Sequence, residues 1–149
     1  MAEQPNNWKI VVGVDGSPQG DHALAWAVGV ARSFQAEVVA VHAVGLLESA
    51  HAPGGSDASK DLVDRLAHAV QHHVDRIANP PAVRLVLEPG SPGDALLRVA
   101  EAERADLIVV GRRGSGEPYQ LDLGSTSRSV AGRSPVPIVV VPAPKAAPH

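Results

Sequence analysis

A doubly wound α/β fold, a parallel sheet with helices on both faces, follows from three observations on this sequence. Five short runs are almost wholly apolar, the stretches between them carry apolar residues at helical spacing, and the two kinds of segment alternate along the chain. A strand covered on both faces has no solvent side for polar residues and reads as a continuous apolar run; a half-exposed antiparallel strand alternates apolar with polar.

The first run is Lys9–Val14. Gln19–Phe34 follows as a helix, with Leu24, Ala27, Val28 and Ala31 on one face. Glu37–Val44 is the second strand, and Gly45–Ser56 reads as a mobile loop. Asp57–Ala78 is helical, its stripe formed by Leu62, Leu66, Val70, Val74 and Ile77. Ala82–Leu87 is the third strand. Ser91 and Pro92 then read as a cap followed by proline at the first helical position, opening a helix through Leu96, Leu97 and Ala100. Asp106–Val110 is the fourth strand, a shorter helix follows Gly124, and Val136–Val141 closes the sheet. Strand–helix–strand units of this kind cross over right-handed. Residues 1–8 and 143–149 are expected to be flexible ends around a single domain at 9–142.

At 149 residues the chain fits one domain that buries about two-thirds of the surface its unfolded form exposes. Only 3% of residues are aromatic, so Val, Leu, Ile and Ala must fill the core. A net charge of −3 supplies no broad positive field, which argues against nucleic acid as a partner. The absence of cysteine excludes disulfides, thiolate metal sites and a cysteine nucleophile, and suits a reducing compartment. Met1–Trp8 lacks the basic-then-apolar order of a signal peptide, and no apolar run approaches the roughly 20 residues of a membrane span. The expectation is a cytoplasmic protein without a membrane partner.

In open sheets of this class ligands sit beyond the carboxyl ends of the strands, where the strand order reverses. Two stretches in such positions are rich in glycine and hydroxyls. Gly13-Val14-Asp15-Gly16-Ser17-Pro18 follows the first strand; Gly111-Arg112-Arg113-Gly114 follows the fourth and leads, nine residues later, to Gly124-Ser125-Thr126-Ser127. Glycine at a strand end lets a ligand approach the backbone and lets N–H groups turn inward around an anion. Gly124 and Ser125 precede a helix whose first N–H groups lack intrahelical acceptors and whose dipole favours negative charge, and Ser125, Thr126 and Ser127 add hydroxyls. The anion these features suit is phosphate.

The spacing Gly111-x-x-Gly114, nine residues, then Gly124-Ser125 resembles the ATP-binding signature of the universal stress protein family. Val14-Asp15-Gly16-Ser17 after the opening strand, Ala-Asp-Leu-Ile-Val-Val-Gly at 105–111 and Pro-Val-Pro-Ile-Val-Val-Val at 135–141 extend the resemblance from Ile10 to Pro142. It implies the adenine nucleotide alpha hydrolase-like fold: a five-stranded parallel sheet, dimeric through the last strand, with ATP across the ends of the first and fourth strands. It puts Asp15 and Gly13 near the ribose or adenine and the backbone around Ala43 against the adenine. The phosphates then fall to Gly111, Gly114, Gly124, Ser125, Thr126 and Ser127, with Mg or Mn shared among their oxygens. The excursion Ser115–Leu123 departs from the family's leucine-rich and basic run, because it carries Glu117, Pro118 and Asp122. Carboxylates beside a triphosphate repel it unless they face solvent or the cation, which predicts weak or metal-dependent binding.

Simpler roles compete for the same residues. Asp15 can cap the first helix, Arg112 and Arg113 can be solvated loop residues, and His42, inside the second strand, reads as a packed core histidine. His68 and His72, four apart on one helix, lack an acidic partner for a metal. No Gly-x-Ser-x-Gly nucleophile elbow and no Gly-x-x-x-x-Gly-Lys-Ser/Thr loop occurs. A response regulator would need a phosphoacceptor aspartate where Glu88-Pro89-Gly90 stands, and a flavodoxin would need a hydroxyl-rich loop where Asp15-Gly16-Ser17-Pro18 stands. Three readings remain: a dimeric ATP-binding stress-response regulator that is non-catalytic or hydrolyses ATP only slowly, a cyclic AMP sensor, or a nucleotide-independent dimeric module pairing through Val136–Val141.

Overall fold

The computed structural model describes residues 8–45, 57–112 and 123–143. The elements run β1 (Lys9–Gly13), α1 (Pro18–Phe34), β2 (Glu37–Val44), α2 (Asp57–Asp75), β3 (Val83–Pro89), α3 (Pro92–Glu103), β4 (Leu107–Gly111), α4 (Ser125–Arg133) and β5 (Ile138–Val141). The five strands form one sheet in the order β3-β2-β1-β4-β5, every neighbouring pair parallel. This is the doubly wound α/β architecture expected from the alternation of elements.

Side-chain alternation divides the core into two halves. Ile10, Val12, Val38, Ala40 and Val109 point to the face covered by Leu24, Ala27, Val28 and Ala31 of α1 and Leu66 and Val70 of α2. Val11, Val39, Val41, Ile108 and Val110 point to the other face, against Ala95, Leu96 and Val99 of α3 and Val130 of α4. The central strands β1 and β4 are buried on both faces over Ile10–Val12 and Ile108–Val110, hence the apolar runs there. β3 is an edge strand and is not buried throughout: Arg84, Leu87 and Pro89 are exposed between less exposed neighbours.

The boundaries differ from the sequence reading where backbone chemistry intervenes. β3 extends through Glu88 to Pro89, since proline can end an edge strand while its carbonyl remains usable. β5 begins at Ile138 rather than Val136: the Ser134 hydroxyl bridges the Val136 N–H (3.1 Å) and carbonyl (2.7 Å), and Pro137 has no N–H to donate. α2 ends at Asp75, three residues earlier than its apolar stripe suggests. Pro92 opens α3 as expected. Beyond Gly45, the expected loop up to Ser56 lies outside the described residues, as do residues 1–7 and 144–149 of the expected flexible ends.

Strand order fixes where a ligand crevice lies. From β1 the chain builds outward through β2 to β3, then returns across both to place β4 on the other side of β1. The connections leaving β1 and β4 therefore diverge to opposite faces, and the gap between them opens at the carboxyl ends of these two strands.

Candidate functional site

At that gap lies a cavity of about 100 Å³, room for several water molecules and so more than a packing defect. Gly13, Val14 and Asp15 line it from the end of β1, Val41, His42 and Ala43 from β2, Val110 and Gly111 from β4. Gly20 of α1, Pro92 and Leu96 of α3, and Gly124, Thr126 and Ser127 at the start of α4 complete the wall. Of the residues chosen from the sequence, Gly13, Asp15, Ala43, Gly111, Gly124, Thr126 and Ser127 meet here. Ser125, the first residue of α4, is exposed and is not among the lining residues. Gly114 lies outside the described residues, as do Arg113 and the carboxylates Glu117 and Asp122.

The β1–α1 turn is built by local hydrogen bonds. Ser17 is the N-cap of α1, its hydroxyl accepting from the Gly20 N–H at 3.0 Å. The Asp15 carboxylate accepts from the Ser17 N–H at 2.9 Å, so Asp15 braces the turn while the capping role falls to Ser17. Gly16 takes a φ of 83° between them. Gly20 is dictated by contact: a Cβ there would stand 2.7 Å from Asp15 Oδ1, so any side chain would push the carboxylate aside.

The opposite lip is made by β4 and α4. Arg112, just past the end of β4, and Gly124, at the start of α4, are joined by the Gly124 N–H donating to the Arg112 carbonyl at 2.8 Å. Gly124 is the N-cap of α4, and the first helical bond runs from Arg128 N–H to the Gly124 carbonyl, leaving the N–H groups of residues 125–127 without intrahelical acceptors. Ser127 is 1% exposed, and its hydroxyl donates to the carbonyls of Gly111 (2.7 Å) and Arg112 (3.2 Å). A hydroxyl has one proton, and this one is committed to the end of β4. Ser127 therefore fixes the start of α4 against β4, in contrast to the hydroxyl-donor role the sequence suggested. Thr126 lines the crevice, and its hydroxyl has no hydrogen-bond partner among the described residues.

α4 is also anchored from α3. A Cβ on Gly93 would lie 2.7 Å from Ser129 Oγ, so only glycine permits this approach of the two helices. Asp94 pairs with Arg133 at 2.8 Å. That guanidinium, joined by the Ser91 hydroxyl, holds the Asp94 carboxyl below its usual range.

Chemically the crevice has two halves. Val14, Val41, Ala43, Pro92, Leu96 and Val110 form an apolar surface, and the α4 amino terminus with Thr126 and the glycines forms a polar end rich in N–H groups. Such a cleft suits a ligand with a flat apolar portion and an anionic portion. Sequence reasoning missed Leu96 and Val110, which read as ordinary core, Pro92, which read as the opening of a helix, and His42, which is half-buried at the crevice. It missed Gly20 too, although glycine in the first turn of a helix, where it costs stability, is a signal that could have flagged it. Among the described residues no three His, Asp or Glu side chains are grouped to hold a metal, and no helix is long and apolar enough to cross a membrane. His72 faces Arg76 at 3.4 Å, and its neighbour His73 pairs with Asp21 of α1 at 2.9 Å.

Comparison with known proteins agrees with this architecture. A universal stress protein encoded in the 3' region of a sulfhydrylase gene of Thermus aquaticus is 33% identical over 133 residues, covering 89% of this chain and 96% of its own. The structure of UspA from Lactobacillus plantarum superposes with a TM-score of 0.70 at 27% identity, covering 90% of this chain and 97% of that one. A universal stress protein solved in complex with cAMP shares the fold with a TM-score of 0.69 at 23% identity, covering 93% and 98%. The model of the universal stress protein family matches residues 7–142, from before β1 to past β5, and the chain belongs to that family.

Proposed function

We propose that the protein binds an adenine nucleotide in the crevice between β1 and β4, with ATP and a divalent cation, Mg or Mn, as its ligand, and that it acts as a homodimeric stress-response regulator. One observation carries the reading: the motif segments after β1 and β4, about 100 positions apart in sequence, line a single crevice at the switch point of the sheet. The residues present suit such a ligand. The apolar half of the crevice fits an adenine, with Ala43 at the end of β2 beside it and Asp15 and Gly13 toward the ribose. The N–H groups at the start of α4, with Gly111, Gly124 and the Thr126 hydroxyl, would hold phosphate, with Gly114 and Ser125 contributing as the family motif implies. ATP would supply a polyanion whose charge the cation shares. Asp15 is the carboxylate among the described lining residues, so the bound cation would be held chiefly by phosphate oxygens.

Dimerisation through β5 completes the reading. β5 is the edge of the sheet, with its outer hydrogen-bonding groups unpaired by any described strand, and Ile138, Val139 and Val140 are only half-buried. Turnover is taken to be absent or slow, with phosphate release no faster than in magnesium buffer alone. Calorimetric titration of nucleotide-stripped protein with ATP, ADP, AMP and cyclic AMP, with and without magnesium, tests the site. ATP binding strengthened by magnesium is the expected result; absence of binding to all four overturns it and leaves a dimeric interaction module. The cAMP complex of a structural relative favours one second reading, a cyclic AMP sensor, which the same titration reports as a preference for that nucleotide.

A further inference from the structure

β1 and β2 pair in register from Lys9↔Glu37 to Gly13↔Val41. The next residue, Val14, is gripped at both ends of its backbone: its N–H donates to the Val41 carbonyl at 2.9 Å, and its carbonyl lies 3.0 Å from His42 Nδ1. A carbonyl has no proton to give, so the ring nitrogen is the donor and the neutral imidazole is the Nδ1–H tautomer. Nε2 is left as an acceptor with no partner among the described residues. The Val14 carbonyl shares a rigid peptide plane with the Asp15 N–H, so holding the carbonyl sets the orientation in which the chain enters Asp15. The Asp15 carboxylate then receives the Ser17 N–H, and Ser17 caps α1. By strand alternation His42 lies on the face where Val38 and Ala40 pack against α1 and α2, a place an aliphatic side chain would fill. The polar ring there serves a hydrogen bond.

We propose that His42 is a positioning residue of the nucleotide crevice: through Nδ1–H it fixes the Val14–Asp15 peptide, and with it the carboxylate of Asp15. The proposal rests on the nucleotide-binding reading above.

Three substitutions separate the two ring nitrogens. Asparagine places an N–H donor where Nδ1 stands, glutamine places one near Nε2, and leucine fills space with no donor. In ATP titrations in magnesium buffer, His42→Asn should bind within about twofold of the parent, while His42→Gln and His42→Leu should weaken binding about fivefold or more, the equivalent of one lost hydrogen bond. Two readouts need no nucleotide. The ¹⁵N spectrum of the parent's imidazole should show the Nδ1–H tautomer, and amide exchange at Asp15 and Ser17 should quicken in the glutamine and leucine variants but not in the asparagine variant. An Nε2–H tautomer, or exchange equally fast in the asparagine and glutamine variants, overturns the brace. If the parent itself binds no nucleotide, the functional reading fails, and the tautomer and exchange data still decide for or against the brace. Should the leucine variant not fold, the asparagine–glutamine pair carries the test.

Discussion

Replacing Ser127 with alanine separates two roles for the hydroxyl that lies two residues past the end of the family motif. In the structure Ser127 is buried, and its proton goes to the Gly111 carbonyl at 2.7 Å, with a longer contact to Arg112. Removing it leaves the Arg112 carbonyl its bond from the Gly124 N–H, whereas the Gly111 carbonyl loses this donor. One lost hydrogen bond, with a part-buried acceptor left without this donor, costs about 1–2 kcal/mol. For a chain of this length that is a fall in Tm of about 3–6 °C. The start of α4 remains tethered through Gly124, and its far end through Asp94–Arg133, so affinity for Mg-ATP should fall by no more than about fivefold. Differential scanning calorimetry and titration on the same preparation check both numbers. Had Ser127 donated to phosphate, the pattern would invert, with affinity falling about tenfold or more and Tm nearly unchanged. That inverted result would refute the assignment of Ser127 to the scaffold.

Thr126→Val is the complement: Thr126 lines the crevice and its hydroxyl has no partner among the described residues, so Tm should hold within about 2 °C while Mg-ATP affinity falls about fivefold in the same titration. In Gly20→Ala the gain in helix propensity, up to about 1 kcal/mol, opposes a 2.7 Å contact with Asp15 Oδ1; chemical denaturation should show stability within about 1 kcal/mol of the parent, and calorimetry about a tenfold loss of nucleotide affinity as the carboxylate is displaced. Gly90 sits at a φ of 113° with its N–H bonded to the Val44 carbonyl and the Arg98 guanidinium 2.7 Å from any added Cβ, so Gly90→Ala should lower stability by about 1–3 kcal/mol, read as the urea midpoint. Glu103, bonded first by Arg84 and then by Lys9, has its carboxyl held below the usual range. A depressed carboxylate contributes stability above its unfolded pKa and loses it as pH falls through the folded value. Glu103→Gln should therefore melt about 1–2 °C lower than the parent at pH 7, with the gap closing in acid below the usual carboxylate range.

The fold was legible because the physics that makes it is local and repetitive. Burial on both faces leaves its mark on the middle of β1 and β4, and the amphipathic stripes of α1 and α2 are readable without any tertiary information. Errors collected where a single side chain or a proline overrides pattern. Val136 has the apolar character of a strand residue, but the Ser134 hydroxyl takes its N–H and carbonyl. β3 looked like the other strands, though an edge position exposes Leu87 at 45%. Neither the turn nor the edge is encoded in periodicity; both depend on what lies alongside.

The crevice divides the same way, and the division explains what motif reasoning can reach. Its polar half is made of glycines and hydroxyls in two contiguous segments, residue types with few reasons to cluster at strand ends other than close backbone approach or anion binding, so they stand out in sequence. Its apolar half is assembled from Val41, Val110, Pro92 and Leu96, carried by three different elements, and none stands out in sequence: the valines and Leu96 read as ordinary core and Pro92 as a helix start. Only the strand order, with β4 returned to the side of β1, turns these four into one wall. Within the polar half, residue type still does not determine role. Ser17, Thr126 and Ser127 are three hydroxyls at two helix starts, yet Ser17 caps α1, Ser127 is bonded to β4, and Thr126 alone among them has no hydroxyl partner in the described structure. A motif thus names the elements that surround a ligand, and the hydrogen-bond count of each side chain decides which members have a proton left to give it. By that count Thr126→Val should change binding more than stability, and Ser127→Ala the reverse, even though the two residues adjoin in one hydroxyl-rich segment and look alike in sequence.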